Sequence, residues 1–383
     1  MNKKTVVALT VSTFLLTAML QQVALAADNV SDQSGVKVSV DGMFNSKKTE
    51  FSKRSKDDLS KRYWNDTGKN RAYGSYVFDL KLSKEFKNDG EIVLHLDGSS
   101  ESSDPNDIKS AAAPICRCQE LFYKQSYFNK KLNVDFGKFD LWRTFAGNNF
   151  AGDVNSQFGS YYFARDHAII GRRICKGPAL RLGYALFKKF DIDCAHFTTD
   201  IANLNEEGFN ILQTTFKPSK DGNYRLYVWR LVDSLEPGLY GFGISADQAI
   251  NRNFGLFLRA GSNDLSYDNY IGNNRPTAIL KPVKTWSFGI QLKAAEWSTT
   301  GIAVGQLFHD GKIPNYAKGR GSFGNVGEEE SNYETCIEVY EKIALNDNFT
   351  ITPSLRYVSN NSTSQEITSQ KRFIYGIRIA FHF

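Results

Sequence analysis

The sequence predicts an all-β fold, a closed antiparallel transmembrane β-barrel of about sixteen strands. Three observations support this prediction. Segments of about ten residues alternate apolar with polar or small side chains, short and long connections follow one another, and aromatic residues make up 13% of the chain, with 28 Phe and 18 Tyr. After the N-terminal segment, no window has the roughly 18 consecutive apolar residues of a spanning helix, which excludes a helical membrane protein.

The C-terminal residues carry the clearest alternation. From Phe373 to Phe383 every second residue is apolar, whereas the neighbours Gly376, Arg378, Ala380 and His382 are small or polar. A period of two gives a strand with one apolar and one hydrated face. A last strand that ends on Phe is typical of bacterial outer-membrane barrels, so Phe383 is predicted to be the signal that the assembly machinery recognises.

The same alternation recurs upstream and predicts the start of each strand. These starts are Val36, Ala72, Glu91, Gln119, Leu132, Ala179, Phe190, Phe209, Asn223, Leu239, Asn253, Lys284, Thr299, Tyr333, Asn348 and Phe373. Short joins such as Lys188-Lys189 alternate with mostly long ones, which indicates short periplasmic turns and long external loops. The longest, Asp140 to Gly177, is the third external loop by count. A structureless loop of this length is expected to be functional, and we expect it to fold into the lumen and narrow it.

The N-terminus has the pattern of a secretory signal peptide. Lys3 and Lys4 are followed by an apolar run from Thr5 to Leu20, and Ala24-Leu25-Ala26 supplies a small-x-small cleavage site. The alternative is a membrane anchor, but the run is short and contains Thr and Ser. We expect residues 1–26 to be cleaved and residues 27–383 to form the barrel.

Charge and cysteine content predict neither a nucleic-acid partner nor a metal or other cofactor. The formal net charge is +6, and acidic and basic residues are interspersed. The cysteine count is odd, so at least one thiol stays unpaired in an oxidising compartment. The Cys116-Arg117-Cys118 spacing does not match a structural zinc site. The cysteines are Cys116, Cys118, Cys175, Cys194 and Cys336.

No motif predicts an enzyme. The segment Gly319–Gly324 matches a dinucleotide-binding string, but Pro314 precedes it and no helix follows it. Nucleophile-elbow, zinc-protease and phosphate-loop patterns are not found in the sequence, and the histidines are isolated. A Ser-His pair on the wall of a hydrolytic barrel stays open as an alternative.

Several motifs resemble the carbohydrate-selective porins of the OprB type. They are Val134–Asp140, Ala146–Ala151, Asn155–Phe158, Gly241–Gln248 and Asn253–Phe257. Together with weaker similarities they run in order from about Leu121 to the C-terminus. The resemblance implies an outer-membrane porin that allows passive diffusion of small hydrophilic solutes and prefers carbohydrates. The cysteines, the lysine-rich first loop at 47–69 and Leu141–Thr144 depart from the family pattern.

Alternation also predicts which side chains line the lumen, because a charge facing lipid costs roughly 2–4 kcal/mol at mid-bilayer. Sugars need aromatic surfaces beside groups that exchange hydrogen bonds with hydroxyls. The predicted lumen wall comprises Lys81, Arg225, Tyr227, Trp229, Arg259, Lys293, Glu338, Arg356 and Arg378. The predicted constriction draws on Asp140, Trp142, Arg143, Asn148, Asn149, Asp153, Arg165, Asp166, Arg172 and Arg173. The alternative is that many of these residues form ion pairs that brace the loop against the wall.

Three functions therefore stay open for the chain. The first is a sugar-preferring pore for mono- or oligosaccharides. The second is an ion- or anion-selective general porin, suggested by the excess of inward Arg and Lys. The third is a non-transporting surface barrel, an adhesin or a hydrolase. In each case we expect a bacterial outer-membrane protein in contact with lipid and possible assembly into a homotrimer.

Overall fold

The computed structural model describes residues 35–51, 71–99, 115–154, 156–169, 177–198, 208–233, 236–264, 282–309, 333–359 and 371–383. The strands in these ranges are β1 (Val36–Phe51), β2 (Arg71–Glu85), β3 (Gly90–Ser99), β4 (Ile115–Tyr127), β5 (Leu132–Lys138), β6 (Pro178–Phe187), β7 (Phe190–Thr198), β8 (Gly208–Phe216), β9 (Gly222–Asp233), β10 (Glu236–Ala249), β11 (Phe254–Asn263), β12 (Pro282–Ala295), β13 (Ser298–His309), β14 (Tyr333–Ala344), β15 (Phe349–Ser359) and β16 (Arg372–His382). Two short helices lie between β5 and β6, α1 (Leu141–Thr144) and α2 (Tyr161–Ala164). Within the described ranges, no helix is long and apolar enough to cross a membrane.

The strands form one closed antiparallel barrel. Each strand pairs with its neighbours in the chain, and β1 closes the barrel by pairing with β16. The predicted fold class is therefore confirmed. The largest error in a strand start is at β4, which begins at Ile115 rather than Gln119. The pairing of β3 with β4 has a register shift between His95 and Leu96, and such a bulge reverses the alternation on which the prediction relied.

The two faces of the barrel wall differ in exposure. On β9, the exposed residues Tyr224, Leu226 and Val228 alternate with Tyr227 and Trp229, whose exposed fractions are 1% and 3%. Exposed apolar side chains on successive strands form the outer face that a transmembrane barrel turns to lipid. We call the opposite face of the wall the inner face.

The closing seam between β1 and β16 involves the last residue of the chain. Val40 N donates to Phe383 O at 2.8 Å, and Phe383 N donates to Val40 O at 2.9 Å. Phe381 belongs to the outward alternation but is only 4% exposed. Its ring lies over Gly42, where a Cβ atom would fall 1.9 Å from the ring. Phe381 and Val40 are therefore the buried members of an apolar cluster that also includes Phe383.

Candidate functional site

The candidate site consists of the inner face and residues 139–169, which we call the β5–β6 segment; residue 155 is not described. Gly137, just before it, has a φ of +133°, and a Cβ atom there would lie 2.4 Å from Leu121 O. Asp140 caps α1, because its side chain accepts a 3.0 Å hydrogen bond from Trp142 N. Asp140 N donates to Glu120 Oε1 at 3.1 Å. These contacts set the direction in which the chain leaves β5.

The first part of the β5–β6 segment packs on the inner face of β6 to β10. Phe139, Leu141 and Phe145 are buried in an apolar cluster with wall residues such as Phe197 and Trp229. The Phe139 and Phe197 rings have centroids 5.1 Å apart. Aromatic packing of this kind stabilises a contact beyond the area that it buries. The cluster explains why the inner face is apolar at these positions.

The later part of the segment packs on the inner face of β11 to β15. Phe158 and Phe163 are fully buried in a second cluster with wall residues that include Phe257 and Tyr340. The Phe158 ring centroid lies 5.5 Å from that of Phe257 and 4.9 Å from that of Tyr340. The segment thus contacts successive strands over a large part of the inner face.

Two buried arginines of the inner face hold the segment by its backbone. Arg259 donates to Ala151 O at 2.9 Å, to Ala146 O at 3.3 Å and to Phe163 O. Arg378 donates to the carbonyl oxygens of Val154 and Gln157. The five N–H groups of a guanidinium can serve several carbonyl oxygens at once, which Lys cannot do in the same planar geometry.

Four further wall side chains bond to the segment. Gln213 Oε1 accepts from Ala146 N at 2.7 Å, and Glu338 Oε1 accepts from Gly159 N at 2.7 Å. Ser245 Oγ donates to Gly147 O at 3.0 Å, and Trp229 Nε1 donates to Ala168 O at 3.1 Å. Trp229, Arg259, Glu338 and Arg378 of the predicted lumen wall therefore contact the segment through hydrogen bonds to its backbone rather than through ion pairs.

Ion pairs connect neighbouring strands on the inner face. Arg181 bridges Asp135 at 2.6 Å and Asp193 at 2.5 Å. Arg225 pairs with Asp247 at 2.5 Å. Arg356 Nε lies 3.2 Å from the Glu338 carboxylate. The carboxylates of Asp247 and Glu338 are fully shielded from solvent, so each pair places a buried negative charge beside a guanidinium.

Sequence reasoning missed several polar residues of the inner face. Arg181, Asp135, Asp193 and Gln213 were not among the candidates, although the alternation of β5 to β8 would have placed them there. His95 was treated as isolated, but its Nε2 lies 2.8 Å from Asp79 Oδ1 and its Nδ1 lies 3.4 Å from Glu120 Oε2. The bulge beside His95 obscured this cluster.

The candidates in the β5–β6 segment have different surroundings. The Arg165 guanidinium lies over the Trp142 ring, 4.8 Å from its centroid. Asn148 is buried, and its Oδ1 accepts from Phe150 N at 3.0 Å. Asn149 is exposed. Asp153 accepts a hydrogen bond from Ser156 Oγ at 2.6 Å. The Arg143 side chain, Arg172 and Arg173 lie outside the part of the chain that the structure describes.

Asp166 is the buried carboxylate of the segment. Its Oδ1 accepts a 3.0 Å hydrogen bond from Ala168 N. Burial raises the pKa of Asp166 above its ordinary value, and the positive charge of Arg259 opposes this shift. The carboxyl group therefore favours its neutral form more than a solvated aspartate does.

A cavity with mixed polar and apolar lining lies at the short-turn end of the barrel, where β8–β9, β10–β11 and β12–β13 are joined. Its volume is about 490 Å³, and its lining includes Phe150, Lys220, Asp221, Arg252 and Lys293. The nearby Glu296 accepts a hydrogen bond from Lys293, which holds the pKa of Glu296 below its usual range. Among the described residues, no group of three or more His, Cys, Asp or Glu side chains could hold a metal ion.

Comparison with solved structures shows that this barrel shares its fold with porins. The high-pH structure of Pseudomonas putida OprB superposes with a TM-score of 0.70 at 16% identity, covering 93% of this chain and 96% of that one. The low-pH structure of the same protein gives a TM-score of 0.56 at 15% identity, covering 93% of this chain and 95% of that one. A triple mutant of Rhodopseudomonas blastica porin gives a TM-score of 0.53 at 10% identity, covering 90% of this chain and 100% of that one. At these identities the likeness shows the fold alone. No curated protein sequence matches this chain.

The sequence itself also matches a family model. Residues 210–383, which run from β8 to the end of the chain, match the model of the carbohydrate-selective porin, OprB family. This fold and this family imply the bacterial outer membrane. The resemblance drawn from the motifs is thereby confirmed: the chain is a closed transmembrane β-barrel with the porin fold, and its residues 210–383 match the OprB family of carbohydrate-selective porins.

Proposed function

We propose that this chain forms a water-filled pore for the passive diffusion of small hydrophilic solutes, with a preference for carbohydrates. The observation that carries the proposal is the β5–β6 segment, which two aromatic clusters and the guanidinium groups of Arg259 and Arg378 hold against the inner face. A segment fixed in this way narrows the channel to a defined width. The family description of residues 210–383 supports the sugar preference.

The charges of the inner face favour neutral solutes over ions. Arg181, Arg225 and Arg356 each have a carboxylate partner at 2.5 to 3.2 Å on a neighbouring strand. Paired charges of opposite sign produce a weaker field along the channel than single charges do. Their remaining polar atoms still offer hydrogen bonds to hydroxyl groups, as a sugar requires.

Trp142 and Arg165 are the residues of the segment that we propose as solute contacts. Trp142 is partly buried, and Arg165 lies over its ring. An aromatic ring beside a guanidinium matches a sugar, which has apolar C–H faces and a belt of hydroxyls. Of the other candidates, Asn149 and Asp153 have solvent-accessible side chains, whereas Asn148 is buried in contacts with Ala246 and the segment backbone.

Liposome swelling tests the proposed function. The purified protein is reconstituted into liposomes, and the swelling rate in a monosaccharide is compared with the rate in a zwitterionic amino acid of similar mass. We expect faster swelling in the sugar, and we expect Trp142→Ala to reduce this difference. Equal swelling rates for both solutes would indicate a pore without sugar preference. Swelling no faster than that of liposomes without protein would contradict a pore.

A second candidate function is an anion-selective pore. The cavity at the short-turn end favours it, because Lys220, Arg252 and Lys293 outnumber the acidic Asp221 in its lining. Planar-bilayer reversal potentials in a salt gradient distinguish the two functions. Strong anion selectivity that falls in the double variant Lys220→Gln and Arg252→Gln would support the second candidate over the first.

We also propose that residues 1–26 are removed on export and that the outer-membrane assembly machinery recognises the last strand through Phe383. The hydrogen bonds between Phe383 and Val40 at the closing seam support the second point. The intact mass of protein purified from outer membranes checks the cleavage site. Deletion of Phe383 is expected to lower the amount of folded barrel there, and the mass of the detergent-solubilised particle tests for a homotrimer.

A further inference from the structure

A row of polar side chains crosses the outer face of the barrel near one end. His196 on β7 lies opposite Asn210 on β8, Asn210 lies opposite Arg230 on β9, and Arg230 lies opposite Tyr240 on β10. His196 Nδ1 and Asn210 Oδ1 are 2.9 Å apart, and the Arg230 guanidinium lies 5.4 Å from the centroid of the Tyr240 ring. These side chains lie on the same face as the exposed Leu212 and Val228, so they point away from the pore.

The position of the row along the barrel matches a membrane boundary. Arg230 is close to the end of β9 at Asp233, and His196 is close to the end of β7 at Thr198. Both lie far from the short turns at Lys188-Lys189 and 217–221. Short turns of outer-membrane barrels face the periplasm, so the row lies at the external boundary of the bilayer. A charged side chain is costly at the bilayer centre and well tolerated at this depth.

An apolar groove adjoins the polar row on the side nearer the bilayer centre. The groove has a volume of about 580 Å³, and its lining includes Leu180, Leu182, Cys194, Leu212 and Val228 as well as His196, Asn210 and Arg230. Cys194 lies between Leu182 and Leu212 in the register of β6, β7 and β8. Because the Cys194 side chain is shorter than its leucine neighbours, the surface is recessed there.

We propose that this groove binds a phosphate-bearing lipid of the outer leaflet, with the phosphate on Arg230 and the Asn210 amide and an acyl chain along Leu182, Cys194, Leu212 and Val228. Charge complementarity supports this occupant. Within the described residues, Arg230 has no carboxylate partner, and its guanidinium lies over the Tyr240 ring. A guanidinium can bind phosphate through two parallel hydrogen bonds.

The order of polar and apolar groups also fits an amphiphile. A lipid at a membrane boundary has its phosphate at the surface and its chains toward the centre, which is the order of the row and the groove along the strands. A second copy of the chain would cover the groove without requiring this order. The lipid site lies on the opposite face from the pore, so it is independent of the solute that the pore conducts.

Native mass spectrometry of the full-length barrel in nonionic detergent tests the site with phosphatidylglycerol as the probe. Diacylglycerol with the same chains tests the need for phosphate, and competition with inorganic phosphate tests the need for the chains. The variants are Arg230→Gln, the groove-filling Cys194→Leu and the matched control Lys284→Gln. Lys284 is an exposed residue of β12 outside the groove, on the same face and near the same end of the barrel.

We expect the unchanged protein and Lys284→Gln to retain phosphatidylglycerol but not diacylglycerol. Retention of phosphatidylglycerol should persist in excess inorganic phosphate. Arg230→Gln should reduce retention about fivefold, which corresponds to the effect of one basic residue near a charged lipid surface. Cys194→Leu should reduce retention without any change of charge. Single-channel conductance equal to that of the unchanged protein verifies that each variant barrel is folded.

Equal loss of lipid in Arg230→Gln and Lys284→Gln would overturn the proposal. Equal retention of phosphatidylglycerol and diacylglycerol, or displacement of the lipid by inorganic phosphate alone, would do the same. A shift from oligomer to monomer in Arg230→Gln, with lipid retention unchanged, would also overturn it, because a second copy of the chain would then occupy this face.

Discussion

Arg259 shows how one side chain can determine the position of a long connection. It is 3% exposed and donates to carbonyl oxygens of Ala146, Ala151 and Phe163. These acceptors lie at three separate points along the β5–β6 segment. Without the guanidinium, three carbonyl groups would need new partners in a site that is largely closed to water.

We predict that Arg259→Met weakens the docking of the segment by about 2–4 kcal/mol, because buried hydrogen bonds from a charged donor are lost. Single-channel recording in planar bilayers should show a noisier open state than in the unchanged protein. Lys81→Met is the control, since it also removes a positive charge but from an exposed side chain. Equal noise in both variants would show that Arg259 does not hold the segment.

The raised pKa of Asp166 predicts that docking of the β5–β6 segment depends on pH. Burial raises its pKa in the folded protein, so the folded state binds the proton more tightly than the released state. The contribution of Asp166 to docking is fully present below the ordinary aspartate pKa of about 4 and is lost as the pH rises through the raised value. Open-state noise should therefore increase with pH in this range, and Asp166→Asn should remove the increase. Noise that increases equally in Asp166→Asn would exclude this residue as the cause.

At the scale of single residues, alternation in the sequence could assign a side chain to one face of the wall but not to a partner. Arg259 and Ala151 are 108 residues apart in the chain, and Arg378 and Val154 are 224 apart. Such contacts depend on the closed barrel and on the path of the segment. The sequence therefore predicted the residue types of the site better than it predicted their roles.

At the scale of secondary structure, alternation predicted the strands because each one has a lipid-facing and an inner side. It was least accurate at β4, where the bulge beside His95 changes the phase. The apolar inner residues Phe197 and Phe209 could not be explained from the sequence alone. They belong to one apolar cluster with residues of the β5–β6 segment, which is distant in the chain, and this packing permits apolar side chains on a face that is otherwise polar.

The closing seam allows a prediction about β16. We expect Phe381→Ala to destabilise the barrel by about 1–3 kcal/mol, because it removes a buried ring that packs over Gly42 and Val40. Phe373→Ala is the control, since Phe373 lies on the same strand and is 40% exposed. The temperature at which each variant loses its heat-resistant electrophoretic mobility measures the effect. Equal temperatures for the two variants would contradict a structural role of the seam cluster.

At the scale of the whole molecule, we propose that the closed barrel becomes a selective pore because the β5–β6 segment is fixed on its inner face. The wall alone does not explain a preference for sugars over other neutral solutes, since its arginines are paired with carboxylates or bonded to the segment. The family model covers residues 210–383, which form the wall from β8 onward. The β5–β6 segment lies before this region, so its contribution must be measured directly.

The most direct measurement compares single-channel conductance before and after removal of the segment. Lys138 and Pro178 are paired in the register of β5 and β6, so an Asn-Gly turn can replace residues 139–177 without changing the barrel. The control replaces residues 309–332 in the same way, between the paired Phe308 and Tyr333. We predict that removal of the β5–β6 segment raises conductance and abolishes the difference between sugar and amino acid in liposome swelling, while the control changes neither. Unchanged conductance and unchanged sugar preference after removal of the segment would contradict the account.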